Sequence, residues 1–393
     1  MEEVERTHKK ASKFASEDVI CNMPENVITN ILNHLPIRDA VRTSVLARNW
    51  RFKWTMLTQL VIKCRFSKYG RDLSRLLLHL KGPITKFVLY IPDYMVLDGE
   101  DINHWIAFLS RKGIEKFTLL DFRRTQFKLH THLFSCLDLK HLRLQNCCFH
   151  VPPSFHGFPN LLSLNLYDVR FESGDYGEFI TSCPLLEVLG IGNDEDPMRK
   201  MRLVEIAKLK NLKTLSLSLC NLYNLTITSY TIFKLAGYFS KLQELYLNFS
   251  KCNFIREQGA RKFSIAFPHL KTLELYELDL SSGDMLSCAI EMMRGSPNLK
   301  SLKIEAPYED EVPTHALDTL EIDYNTVGQL QLLSVVFECF NGSENEMCLI
   351  KYLLASSPFL EYITIETNIG KLPFAKKLLE LHRASPVAEV CIF

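Results

Sequence analysis

Several features that a 393-residue chain commonly carries are missing from this one. No stretch of eighteen apolar residues occurs, so no segment has the length and apolarity of a membrane-spanning helix. The first sixteen residues, MEEVERTHKKASKFAS, hold no seven-residue apolar run and cannot serve as the apolar core of a secretory signal. The twelve cysteines never form a C-x-x-C pair, and only Cys147 and Cys148 are adjacent. That usage suits a reducing compartment, where cysteine packs as a small apolar residue, and points to the nucleus and/or cytoplasm. Lys9, Lys10 and Lys13 read as part of a solvated tail rather than as a nuclear signal.

A charge excess is missing too. The balance of 46 Lys+Arg against 45 Asp+Glu leaves +1, which gives no electrostatic footprint for nucleic acid or an anionic membrane, and neither is expected as a partner. Also absent are G-x-x-x-x-G-K-[ST], G-x-G-x-x-G, G-x-S-x-G and H-E-x-x-H, the spacings that cradle phosphates, present a nucleophile or hold a catalytic zinc. His130, His132, Cys136 and His141 lie close together in sequence, but no second tight ligand pair accompanies them. They read as incidental residues of a surface loop. No catalytic residue, cofactor or metal is expected.

What is present is a dense apolar pattern. Apolar residues make up 47% and charged residues 23%, a globular composition, and the length exceeds what one compact core usually holds. Near the start, MPENVITNILNHLPIRDAVRTSVLARNWRFKW runs from Met23 to Trp54. Pro24 suits the first turn of a helix, and Val27, Ile28, Ile31, Leu32 and Leu35 follow at helical spacing until Pro36 closes it. A second helix places Ile37, Ala40, Val41, Ser44 and Val45 on one side, and Trp50 and Trp54 fall four apart on a third. Three such helices cannot cover their own apolar residues, so the next domain or another protein must.

These residues resemble the F-box of plant F-box proteins. The match includes Pro24, Ile31, Leu32, Leu35, Pro36, Asp39, Ala40, Val41, Arg42, Thr43, Ser44, Leu46, Trp50 and Trp54. It departs at Met23, where Leu is common, and at Asn49, where a basic residue is common. The resemblance implies binding to a Skp-family adaptor, and through it to a cullin and a RING subunit. Met23, Pro24, Val27, Ile28, Ile31, Leu32, Leu35, Pro36, Ala40, Val41, Ser44 and Trp50 are the expected adaptor contacts, and the tryptophans also suit the junction with the next domain.

Beyond this unit the chain repeats. L-x-x-L-x-L begins at Leu139 and recurs at Leu161, Leu186, Leu212, Leu242, Leu270 and Leu299, at intervals of 22, 25, 26, 30, 28 and 29 residues. Such a series predicts a solenoid. Pro159, Pro184, Pro268, Pro297 and Pro358 each stand two residues before the first Leu of a repeat and stop the preceding segment. Weaker copies start at Leu57, Ile84 and Ile114. Met285, Leu286, Ala289, Ile290 and Met293 share one face of a predicted outer helix. Residues 305–328 break the period, with one extra strand expected at Leu317–Ile322.

The series resembles an irregular plant leucine-rich repeat, with Cys147 and Cys220 at the turn position where Asn or Cys is usual. The last sixty residues, with IKYLLASSPFLEYITI and RASPVAEVCIF, resemble the FBD segment that ends many plant F-box proteins. They read as a helix, a strand, a second helix over LPFAKKLLELHRAS, and a closing strand. The expected architecture is α/β: a tail (1–16), a short helical F-box (17–56), an irregular leucine-rich-repeat solenoid or horseshoe (57–330), and an FBD cap (331–393).

In L-x-x-L-x-L strands the leucines point inward and the intervening residues face the concave side. That exposes Arg143 and Gln145, Asn165 and Tyr167, Ser216 and Ser218, Tyr246 and Asn248, Glu274 and Tyr276, Lys303 and Glu305, and Thr364 and Glu366. Arg143, Asn165, Tyr167, Tyr246, Asn248, Glu274, Tyr276 and Lys303 are the candidate target contacts. Residues 111–128 hold six Lys or Arg against two acids, and 301–330 seven acids against one Lys, a polarity that would orient a partner. The resemblance implies a non-catalytic substrate receptor of a cullin-RING ubiquitin ligase. A non-degradative F-box scaffold and a small-molecule-gated receptor are the alternatives.

Overall fold

The computed structural model describes residues 23–63, 69–173, 176–192, 202–222, 226–254, 267–306, 330–367 and 375–393. The tail, the strand expected at Leu317–Ile322 and most of the acidic stretch after Glu305 lie outside the described residues.

The period-2 alternation becomes strands. In chain order these are β1 (Gln59–Lys63), β2 (Lys86–Ile91), β3 (Lys116–Asp121), β4 (Phe127–Leu129), β5 (His141–His150), β6 (Ser163–Ser173), β7 (Val188–Gly192), β8 (Thr214–Ser218), β9 (Thr226–Ile227), β10 (Glu244–Asn248), β11 (Asn253–Phe254), β12 (Thr272–Tyr276), β13 (Ser301–Glu305), β14 (Ser334–Glu338), β15 (Tyr362–Ile365) and β16 (Glu389–Ile392). All but β9 and β11, which pair with each other, belong to one parallel sheet. Its order is β1-β2-β3-β5-β6-β7-β8-β10-β12-β13-β14-β15-β16, with β4 beside β5. Each strand is laid next to the one before it, the topology of a solenoid.

The helices are α1 (Glu25–Asn33), α2 (Ile37–Arg42), α3 (Tyr69–His79), α4 (Gly99–Leu109), α5 (Tyr176–Thr181), α6 (Leu203–Ile206), α7 (Ser229–Tyr238), α8 (Gly283–Arg294), α9 (Glu344–Ser356) and α10 (Ala375–Leu379). From α3 onward they lie between strands and close the core from the other side. On α8 the predicted face is buried in full, joined by Cys288 and Met292. Burial pushes the thiols of Cys136 and Cys288 up to about 12, as fits cysteines that pack rather than react. The last predicted helix is shorter than its pattern: of LPFAKKLLELHRAS, α10 spans Ala375–Leu379. Among the described residues no helix is long and apolar enough to cross a membrane.

The register is strict. Leu142 and Leu144 stand level with Leu164 and Leu166, these with Leu189 and Ile191, and so on to Val335 and Phe337, all buried. The weaker copies hold as well, since Leu57, Ile84 and Ile114 are buried and each leads into a strand, β1, β2 and β3. Cys147 is buried within β5, opposite Val169. The turn itself is made one residue earlier, where Asn146, Asp168, Glu277 and Cys339 all have positive φ, between 49° and 61°.

The third F-box helix does not form. Residues 43–56 instead make three short 3-10 turns, Thr43–Val45, Arg48–Trp50 and Lys53–Met56, interrupted where Ala47 is extended. β-branched Thr43 and Val45 enter this stretch and weaken any helix there. These turns bring Trp50 into the core and Trp54 against it.

Candidate protein-binding surfaces

Two surfaces of this fold remain open, and each is built from the positions that packing leaves over.

The first is on the N-terminal helices. One stripe of α1, Ile28 and Leu32, is buried with Ala40 and Trp50. The side chain of Asn33 fixes the attachment: its Nδ2 donates to Thr58 Oγ1 at 2.9 Å, and its Oδ1 accepts from the backbone of Thr58 and Gln59 at 3.2 and 3.3 Å. The F-box is thereby bonded to the start of β1. Ile28, Leu32, Ala40 and Trp50 are thus core residues of this chain, a correction to their reading as adaptor contacts, because the 3-10 turns and the start of the repeat core already cover them. Met23 is half-buried against the same core, and Val41 and Ser44 are half-buried, with Ser44 donating its hydroxyl proton to the Val41 carbonyl. Pro24, Val27, Ile31, Leu35 and Pro36 are exposed. Val27, Ile31 and Leu35 recur every four residues and form one stripe. Val45, Leu46 and Phe52 are also bare, at 86%, 65% and 65%, although none of the three is in the expected contact set. Large apolar side chains so exposed on a unit whose other residues are fixed in the core form a docking surface.

The second surface is the open face of the sheet. Its outward positions fall into columns defined by the register. One runs Val61, Val88, Thr118, Arg143, Asn165, Gly190, Ser216, Tyr246, Glu274, Lys303, Val336 and Thr364. The next runs Lys63, Tyr90, Leu120, Gln145, Tyr167, Gly192 and, farther on, Ser218, Asn248, Tyr276, Glu305 and Glu338. The residues predicted for the concave side lie on this face as far as Thr364, Glu366 falling just beyond the end of β15, and Tyr167 and Tyr276 share a column.

Two outward glycines interrupt the columns. A Cβ on Gly190 would lie 2.3 Å from Asn165 Oδ1, and one on Gly192 2.8 Å from the Tyr167 ring. The space over Gly190 is taken by the Asn165 side chain, whereas Gly192 lines a depression of about 540 Å³ together with Tyr167, Ser216, Ser218, Tyr246 and Asn248. Sequence reasoning missed these glycines, yet LEVLGIG carries Gly at two successive outward places of one repeat.

Charge is distributed unevenly over the face. On β1, β2, β3 and β5 its ionised groups are Lys63, Lys86, Lys116 and Arg143, with no carboxylate. Burial, with Lys116 and Lys140 nearby, lowers the pKa of His141 in the same row. On β10, β12, β13 and β14 the face carries Glu244, Glu274, Glu305 and Glu338 against Lys303. Lys303 lies 2.8 Å from Glu338 and 5.3 Å from the centre of the Tyr276 ring. Burial opposes its charge, but Glu338, Glu274 and Glu305 outweigh that and raise its pKa. Burial, then the neighbouring Glu277 and Glu338, raise the carboxyl of Glu305. The hydroxyls of Tyr246 and Tyr276 donate to Glu244 and Glu274, and burial together with these carboxylates pushes the Tyr246 phenol up to about 12. These tyrosines are neutral donors at physiological pH. The polarity expected from sequence is therefore present here, though mostly on residues other than the runs that suggested it.

Among the described residues no group of three or more His, Cys, Asp or Glu side chains is placed to hold a metal ion. His130 lies 3.6 Å from Glu100 instead.

Comparison with known proteins agrees with this geometry. The F-box domain model matches residues 20–60, and the model for the repeats of FBD-associated F-box protein At5g56370 matches residues 102–234. F-box/FBD/LRR-repeat protein At1g13570 of Arabidopsis thaliana is 33% identical, over 95% of this chain and 98% of its own length. The putative F-box/FBD/LRR-repeat protein At2g05300 of the same plant is 25% identical over 98% and 99%. Helices joined to a sheet of repeats are the parts that these relatives' names describe. This chain is a member of the F-box/FBD/LRR-repeat family of plant proteins.

Proposed function

We propose that this chain is the substrate-recognition subunit of an SCF-type ubiquitin ligase in the nucleus or cytoplasm. The F-box binds a Skp-family adaptor, and through it a cullin and a RING subunit, while the open face of the repeat sheet binds a target protein for ubiquitination. The observation that carries this reading is the division of the N-terminal apolar residues: Ile28 and Leu32 are fixed in the chain's own core, while Val27 and Ile31 on the neighbouring stripe of α1, and Leu35 just beyond it, remain 38–40% exposed. The contribution to the reaction is proximity. Holding a target next to the charged enzyme replaces a bimolecular encounter by an intramolecular one, at an effective concentration of roughly millimolar for a short tether.

Co-purification with the Skp adaptor tests it. The double variant Ile31→Asp, Leu35→Asp is expected to lose the adaptor while keeping a single cooperative melting transition, because both residues lie outside the buried core. A Leu32→Asp variant should fail to fold, because it places a charge in the core. Adaptor binding retained by the double variant would overturn the assignment.

A further inference from the structure

The open face has features that a general protein-binding role leaves unused. Beside the F-box it is apolar as well as basic. Val61 is 46% exposed, Tyr90 37% and Phe122 43%, and the rings of Tyr90 and Phe122 stand 4.9 Å apart. Lys63, Lys86, Lys116 and Arg143 surround this patch. The opposite end presents carboxylates beside Tyr246 and Tyr276. Between the ends lies the depression beside Gly192, with Tyr167 and Tyr246 among its walls.

We propose that the open face binds an extended protein segment lying across the strands. The segment's acidic end lies over β1–β5 next to the F-box, a bulky side chain is seated in the depression beside Gly192, and its basic end lies over β12–β14. Charge complementarity selects this occupant over a uniformly charged one, because like charge opposite like charge at either end is repulsive. The face is also unsuited to a long polyanion, whose far end would meet Glu274, Glu305 and Glu338.

Dimensions set the segment's length. From Arg143 on β5 to Glu274 on β12 the order passes β6, β7, β8 and β10, five strand spacings. At about 4.8 Å each these cover roughly 24 Å, which an extended chain at about 3.3 Å per residue crosses in about seven residues. The seat is walled by tyrosine rings and lined by Asn165, Ser216, Ser218 and Asn248, so it suits a planar side chain with a polar edge. This inference rests on the substrate-receptor reading and specifies the class of segment received.

The test uses the full chain purified with its adaptor and fluorescent ten-residue peptides: three acidic residues, a central tyrosine and three basic residues, separated by Gly and Ser. The graded peptide is made in both chain directions, since the charge pattern orients the ends and not the peptide bonds. The better of the two is expected to bind at least tenfold more tightly than a peptide of the same composition with alternating charges, and to weaken as salt is raised. Lys86→Glu, Lys116→Glu should lower its affinity at least tenfold and favour a peptide basic at both ends. Gly192→Val, which narrows the seat, should weaken the graded peptide without reversing its charge preference. Equal binding of graded and alternating peptides, or unchanged binding by the Lys86→Glu, Lys116→Glu variant, would overturn the proposal. Adaptor co-purification is read in parallel. Its loss in wild-type protein that still binds the graded peptide would sink the ligase reading and leave this one standing.

Discussion

Four residues at one fixed place in the repeats, Asn146, Asp168, Glu277 and Cys339, hold the backbone in the left-handed region. Asn and Asp tolerate that conformation through short polar side chains; Asn146 donates its amide to the Arg123 carbonyl. Glu277 has no such compensation in its type, and its carboxylate also faces Glu305. Glu277→Gly is therefore expected to stabilise the protein by about 1 kcal/mol, measured by thermal or denaturant melting. A raised carboxyl pKa means that ionised Glu305 opposes folding: the favourable contribution of its protonated form is present below 4.5 and is lost as pH rises through the folded value. The gain from Glu277→Gly should accordingly be larger at pH 7 than at pH 4. The inward leucines were readable from spacing alone, because a strand has one periodicity. The left-handed turn was not, because no single residue type marks it here.

At the scale of elements, α9 illustrates what local signals can and cannot carry. The apolar residues of CLIKYLLASSP suggest a helix starting at Cys348, whereas the helix begins at Glu344. The sequence does hold the start signal, Ser343-x-x-Glu346. Ser343 Oγ accepts from the Glu346 amide at 3.2 Å, and Glu346 Oε2 accepts from the Ser343 and Asn341 amides at 2.8 and 3.3 Å. Glu346 is fully buried, and burial raises its pKa against the pull of these donors. Glu346→Ala would strand the Ser343 and Asn341 amides, and a loss of about 1–3 kcal/mol is expected in equilibrium unfolding. The F-box shows the opposite case. Its apolar spacing was legible, but which stripe of α1 faces inward depends on β1, thirty residues away, and on Asn33 reaching it. Leu32 and Leu35 look alike in the sequence, and only one belongs to the core.

At the scale of the whole molecule, the ladder of paired strands is continuous through the last sixty residues: β14 pairs with β13, β15 with β14, and β16 with β15. Removing residues 331–393 would bare the edge of β13 and the apolar side of α8 that meets α9. Exposed parallel edges recruit other chains. The truncated protein is expected to melt less cooperatively and to sediment as aggregates; a monomer with an unchanged transition would refute that. The regular run of strands was legible because a solenoid is written locally, one repeat at a time. The charge gradient of the open face was legible only as an idea, since it depends on which lysines and glutamates share a register.

The bond from Asn33 to the first residues of the ladder has one further consequence. It turns the sheet into a ruler whose zero mark is the F-box. Each strand is a graduation of about 4.8 Å, so a contact on β12 stands eight graduations from β1 along the ladder. In a ligase built on this chain, shifting the recognised segment by one strand would move every target lysine by that increment relative to the enzyme. The choice of lysine would then be set by counting strands, without any contact to the lysine itself.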